Sequence, residues 1–146
     1  MVDINMGGII SGFLIKNKLM KAFSDLEQSK KLAKILPLES ADMSYRPYRE
    51  EGGIPDYESD LCPYRFASWC GFPCWSLAAL LDVLDDIVVD DEGNEYSLII
   101  LKEEGMYYIY YHDRWEEIDD IETDCYYDLV DACYEMIIKL HEQKIL

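Results

Sequence analysis

Basic side chains are scarce in this chain relative to acidic ones. Lysine and arginine together number 13 against 30 aspartates and glutamates, and the formal net charge is −17. A surface this negative repels nucleic acid and anionic lipid headgroups, because both carry dense negative charge of their own. Neither nucleic acid nor a membrane is therefore an expected partner. The favoured partners are basic proteins or cations, although an acidic surface also serves plain solubility. The charge is uneven as well: residues 1–37 carry +3 and residues 38–146 carry −20.

Proline is missing from both ends. All five prolines (Pro37, Pro47, Pro55, Pro63 and Pro73) lie within residues 37–73. The flanking segments can therefore hold uninterrupted helices and strands. Long apolar runs are also missing. The stretch 9–15 contains Ser11 and Gly12 and ends at Lys16, too short to cross a membrane. Residues 1–11 lack the basic start of a secretory signal. The five cysteines, an odd number, do not make a disulfide framework. The cytoplasm, with reduced thiols, is the expected compartment.

What is present is material for one domain. Half of the 146 residues are hydrophobic, enough for a core without disulfides or a metal as a staple, and unlike a disordered acidic tail. Residues 1–146 are expected as a single domain with residues 1–23 as a helical extension. In that N-terminal part Ile10, Phe13, Leu14 and Met20 suggest an apolar stripe, with Lys16, Lys18 and Lys21 in water. Ser24-Asp25-Leu26-Glu27 matches a capping box. It predicts a helix over 25–36 that buries Leu26, Leu32, Ala33 and Leu36 and stops at Pro37.

Residues 37–73 show little periodicity but carry seven large rings between Tyr45 and Phe72. Disordered linkers lack such rings, so an ordered wrap is expected, with a short strand over 43–48. Ser76 reads as the N-cap of a short helix with Leu77, Leu80, Leu81 and Leu84 on one face. Strands are expected at 87–89, 96–102 and 106–112, with turns at 91–94 and at Glu104-Gly105. The last two strands are apolar on both faces and call for cover on both, by helices or by a partner chain, so a homo-oligomer stays open. The last helix is expected after Asp124, burying Leu129, Ala132, Cys133, Met136, Ile137 and Leu140, with Asp128, Asp131, Glu135, Lys139 and Glu142 on the wet edge. The expected fold class is α+β: a small antiparallel β-meander packed with helices, with an N-terminal helical segment and a long C-terminal helix.

The motifs carry little chemistry. Trp69-Cys70-Gly71-Phe72-Pro73-Cys74 is similar to the Trp-Cys-Gly-Pro-Cys of thioredoxins, but Phe72 makes the spacing CxxxC and the helix starts beyond both cysteines. Cys70 and Cys74 remain a candidate thiol site. Cys62, Cys70 and Cys74, with Cys125 or His112, do not match zinc-ligand spacings. Taking Gly93 as position six of a calcium loop puts Val88 and Ile99 at the first and last ligand positions, so 90–94 is a hairpin turn. No Walker loop, dinucleotide fingerprint or basic groove occurs, and neither histidine is positioned beside a nucleophile by sequence. Neither a cofactor nor a metal is expected.

Binding is the stronger expectation. The acidic candidates are Asp85, Asp86, Asp90, Asp91 and Glu92 around the first hairpin turn, and Glu116, Glu117, Asp119 and Asp120 in the connection after the meander. Arg46, Arg49 and Arg65 lie beside tyrosines in the proline-rich wrap. Such arginines serve as interface anchors or hold the wrap onto an acidic body.

The stretch Leu26-Glu27-Gln28-Ser29-Lys30-Lys31-Leu32, the Pro73-x-Trp75-Ser76-Leu77-x-x-Leu80-Leu81 segment, and Val130-Asp131-Ala132-Cys133-x-Glu135-Met136-Ile137-Ile138 carry a resemblance. Over most of residues 25–146 the chain resembles small uncharacterised proteins encoded by bacteriophages and mobile elements of intestinal anaerobic bacteria. The resemblance implies a setting inside a bacterial cell and transfers no catalytic residue. The leading expectation is a non-enzymatic acidic protein that occupies a basic protein surface, in that setting a host nuclease or defence complex. The alternatives are a thiol-based redox protein or small enzyme at Cys70 and Cys74, and an immunity protein for a basic toxin.

Overall fold

The computed structural model describes residues 21–48, 56–63 and 71–146, with 46–48 and 56–63 described as backbone alone. The expected stripe of Ile10, Phe13, Leu14 and Met20, with Lys16 and Lys18, lies outside the described residues. Lys21 is described, and it is not simply in water. Its ammonium reaches Asp25 at 2.9 Å and Asp131 at 2.8 Å, tying the segment before the first described helix to the last helix.

Helix α1 (Leu26–Leu32) starts with a capping box, but one residue later than expected: Asp25 and Gln28 make it. Asp25 accepts from the Gln28 amide at 2.8 Å, and the Gln28 side chain accepts from the Asp25 amide at 3.0 Å. Ser24 is otherwise engaged. It is fully buried, meets the Ser29 hydroxyl at 2.7 Å and accepts from the Trp75 amide at 3.1 Å. The helix ends at Leu32, short of Leu36, as Lys34 and Ile35 switch to three-residue hydrogen bonds onto Lys31 and Leu32. Such tightening is a common way for a last turn to use its free carbonyls.

The expected wrap contains a sheet. Strands β1 (Met43–Tyr48), β2 (Asp56–Pro63) and β3 (Phe72–Cys74) form an antiparallel sheet in the order β2-β1-β3. Trp75 follows β3, is fully buried, and donates from its indole nitrogen to the Ser40 hydroxyl at 2.9 Å. Helix α2 (Leu77–Val83) is capped by Ser76, which accepts from the Ala79 amide at 3.2 Å. Leu80 and Leu84 of its expected stripe are buried, with Leu77 and Leu81 packed beside them.

Strands β4 (Ile87–Val89), β5 (Glu95–Glu103) and β6 (Met106–Asp113) form the expected meander. A short strand not expected from the sequence, β7 (Ile121–Glu122), adds to it where 116–122 was read as a connection, giving the order β4-β5-β6-β7. Helix α3 (Leu129–Glu142) then packs on β6 and against α2. It begins later than expected because residues 121–126 stay extended along β6. Tyr107 and Tyr126 exchange backbone hydrogen bonds at 2.6 and 3.0 Å. Asp128, expected on the wet edge, is 5% exposed and caps α3 through the Val130 amide at 2.9 Å. Val130, Ala132, Cys133, Met136, Ile137 and Leu140 are fully buried. The fold is mixed α+β with a C-terminal helix, and its hydrophobic cluster runs from Leu32 through Trp75 and Ile109 to Leu140.

Parity along the ladder gives the meander two faces. Ile109 and Tyr111 are fully buried toward the helices, while the alternate set of Leu101, Tyr108 and Tyr110 faces away from them. Cover on both faces was expected. Among the described residues, helices cover one.

Candidate functional site

Two acidic segments, one before and one after the β5–β6 hairpin, leave the same end of the four-stranded sheet. Tyr96 lies opposite Asp113 in the β5–β6 ladder, and the Arg114 amide donates to the Glu95 carbonyl at 3.0 Å. The 90–94 turn, which enters β5, and the 114–120 connection, which leaves β6, are therefore neighbours.

Each segment is shaped by one carboxylate turned inward. Asp90 accepts from the Glu92 amide at 3.0 Å and the Asn94 amide at 2.8 Å, and from the Tyr96 hydroxyl at 3.1 Å. Gly93 sits at φ 85°, where a side chain would be strained. The Asn94 side chain and these donors hold the Asp90 carboxyl below its usual range. Burial, with the Asp90 hydrogen bond, pushes the Tyr96 hydroxyl up to about 12.

Asp113 does the same for the longer connection. It is 1% exposed and accepts from the amides of Glu117 at 2.7 Å, Ile118 at 3.1 Å and Trp115 at 3.3 Å. Burial alone would raise this carboxyl, but the three amides outweigh it and hold it below the usual range. His112 adds a clasp, with Nδ1 at 3.0 Å from Asp120 and Nε2 at 3.8 Å from Glu116. The hydrogen bond to Asp120 raises the imidazole above its ordinary value.

With Asp90 and Asp113 inward, Asp91, Glu92, Glu116, Glu117 and Asp119 are left exposed at this end. Arg114 is the sole lysine or arginine in the two segments, and Glu95 holds it at 3.0 Å. Trp115 projects beside them, 69% exposed. Sequence reasoning passed over Trp115, and its signal was a large ring inside a run of charges.

Comparisons with family models, curated proteins and solved structures found no match. The site therefore stands on its own geometry.

The other candidates separate from this end. Asp85 and Asp86 are exposed between α2 and β4, where the Asp85 carbonyl accepts from the Tyr111 hydroxyl at 2.7 Å and the Asp86 carbonyl from the Leu98 amide at 2.9 Å. Arg46 is in β1 opposite Asp60 and is described as backbone alone. Arg49, Arg65 and Cys70 lie outside the described residues. Cys74 is fully buried against the Ser24 carbonyl at 3.4 Å, and burial raises its thiol above the ordinary value, opposite to what an activated thiolate needs. Among the described residues, no three of histidine, cysteine, aspartate and glutamate converge as a metal-ligand set, and no helix is long and apolar enough to cross a membrane.

Proposed function

We propose that this chain is a non-enzymatic interaction protein that holds a basic surface of another protein through the acidic end of its four-stranded sheet. In the phage or mobile-element setting implied by the resemblance, the partner is a host nuclease or defence complex, whose nucleic-acid-binding surface the carboxylates occupy by imitating DNA charge. The observation that carries this proposal is the convergence of the 90–94 turn and the 114–120 connection, with five exposed carboxylates and Trp115 at one end of the sheet. Carboxylates of one sign speed encounter with a basic partner, and an exposed tryptophan supplies the apolar anchor that interface centres favour. An immunity protein for a basic toxin would use the same surface.

Affinity capture from bacterial lysate at low and high salt tests this, with a second bait carrying Asp91→Asn, Glu92→Gln, Glu116→Gln and Glu117→Gln. One basic protein captured at low salt, lost at high salt and missed by the neutralised bait is expected. Capture indifferent to salt and to the four substitutions would sink the proposal.

A further inference from the structure

The outer face of the same sheet carries a cleft that the acidic end does not explain. Strand register decides which side chains reach it. Leu101 lies opposite Tyr108, Glu103 opposite Met106, and Tyr110 opposite Glu122, all on the face turned away from the helices. Leu101, Glu103, Tyr108, Tyr110, Asp120 and Glu122 line an open cleft of about 430 Å³. Two phenol rings and a leucine thus share a hollow with three carboxylates.

The two kinds of wall ask for one kind of guest. An apolar guest would leave the carboxylates facing it, and an anion would be repelled. A guanidinium suits both, because it is planar, weakly hydrated, stacks on aromatic faces and forks onto carboxylates. Among the described residues no lysine or arginine pairs with the carboxylates of Glu103 or Glu122. The far side of the same hairpin already pairs a cation with a phenol ring, with the Lys102 ammonium 5.3 Å from the centre of Tyr107. A second copy of the chain is the wrong occupant, because each brings a net charge of −17 to a surface already rimmed by carboxylates.

We propose that the cleft formed by Leu101, Tyr108, Tyr110, Glu103 and Glu122 receives an arginine side chain of the basic protein partner. It rests on the interaction reading above and adds to it a surface and a side-chain preference. The acidic end supplies long-range attraction, and the cleft supplies a short-range contact selective for the guanidinium. Asp120 joins the two, since it lines the cleft and also clasps His112.

The test uses the full chain and three peptides of alternating glycine with arginine, lysine or citrulline, followed by amide chemical shifts. The arginine peptide is expected to move signals of Tyr108, Tyr110 and Glu122 saturably, to bind about fivefold or more tighter than the lysine peptide, and to outbind citrulline further. Glu103→Gln with Glu122→Gln should weaken it about tenfold. Tyr108→Ser with Tyr110→Ser, both on the outer face, should weaken it similarly, and the charge variant stands alone if the tyrosine variant does not fold. Shifts confined to 90–94 and 114–120, with the cleft variants unchanged, would overturn the cleft while leaving the interaction reading intact. Equal binding of arginine and lysine peptides, or no binding of either, would also overturn it.

Discussion

Tyr96 and Asp113 lie opposite each other across the β5–β6 ladder, and each is bound into one of the acidic segments. The Tyr96 hydroxyl donates to Asp90 at 3.1 Å, which fixes the 90–94 turn, while Asp113 gathers three amides of the 114–120 connection. One cross-strand pair therefore registers two surface segments on a rigid frame. A pre-shaped surface loses less entropy on binding than a floppy acidic run would.

Asp113→Ala should release the connection while leaving the core in place. Amide exchange at Glu117 and Ile118 is expected to speed up by about tenfold or more, since each loses a charged acceptor. Exchange at Ile109 should stay slow. Unchanged protection at Glu117 and Ile118 would show that Asp113 does not organise the connection.

The His112 clasp gives the connection a pH dependence of definite sign. The folded imidazole titrates above the ordinary histidine value because Asp120 holds its charged form. The clasp thus contributes stability in full below the unfolded value of about 6.5, and loses it as pH rises through the folded value. An NMR titration should place the His112 midpoint above that unfolded value, and Asp120→Asn should lower it. A midpoint at or below the unfolded value would contradict the clasp.

Thiol reactivity should follow burial. Cys74 and Cys133 are fully buried, and burial pushes the Cys133 thiol up to about 12, whereas Cys125 is exposed. Of these three, Cys125 should react with a neutral alkylating reagent in the folded protein, and the other two only after unfolding. Fast labelling of Cys74 in the folded state would return the thiol site to consideration.

Trp75 is the test of the core. Trp75→Ala should cost about 3–5 kcal/mol in urea unfolding, from the lost burial and the cavity left behind. Trp75→Phe keeps most of the volume but leaves the Ser40 hydroxyl without its 2.9 Å donor, so a smaller loss, about 1 kcal/mol beyond the packing change, is expected. Equal losses for the two variants would mean that packing at Trp75 matters less than its hydrogen bond.

Periodicity made the meander and the helices around it legible. Leu77, Leu80 and Leu84 repeat at helical spacing, and the turns at Gly93 and Gly105 punctuate β4 to β6. Long-range competition stayed hidden. Ser24 looks like a helix cap in isolation, yet burial against Trp75 and Ser29 takes its hydroxyl and leaves the cap to Asp25. Strand β2 was missed because a segment rich in aspartate and glutamate has low strand propensity, and its pairing with β1 is a tertiary effect. The acidic candidates were visible as charge runs. That two of them share one sheet end follows from the β5–β6 hairpin the sequence already shows. That Asp90 and Asp113 turn inward onto the amides of their own segments is a matter of side-chain contacts that the charge runs do not encode. The outer cleft was foreshadowed only by a hairpin apolar on both faces.

The most direct measurement is the association rate of the captured basic partner across a salt series, for the native chain and for the fourfold variant at Asp91, Glu92, Glu116 and Glu117. Steered binding predicts a fast rate for the native chain that falls steeply with salt, and a slower, flatter dependence for the variant. Coincident curves would show that the acidic end does not guide binding, and would contradict the account at its centre.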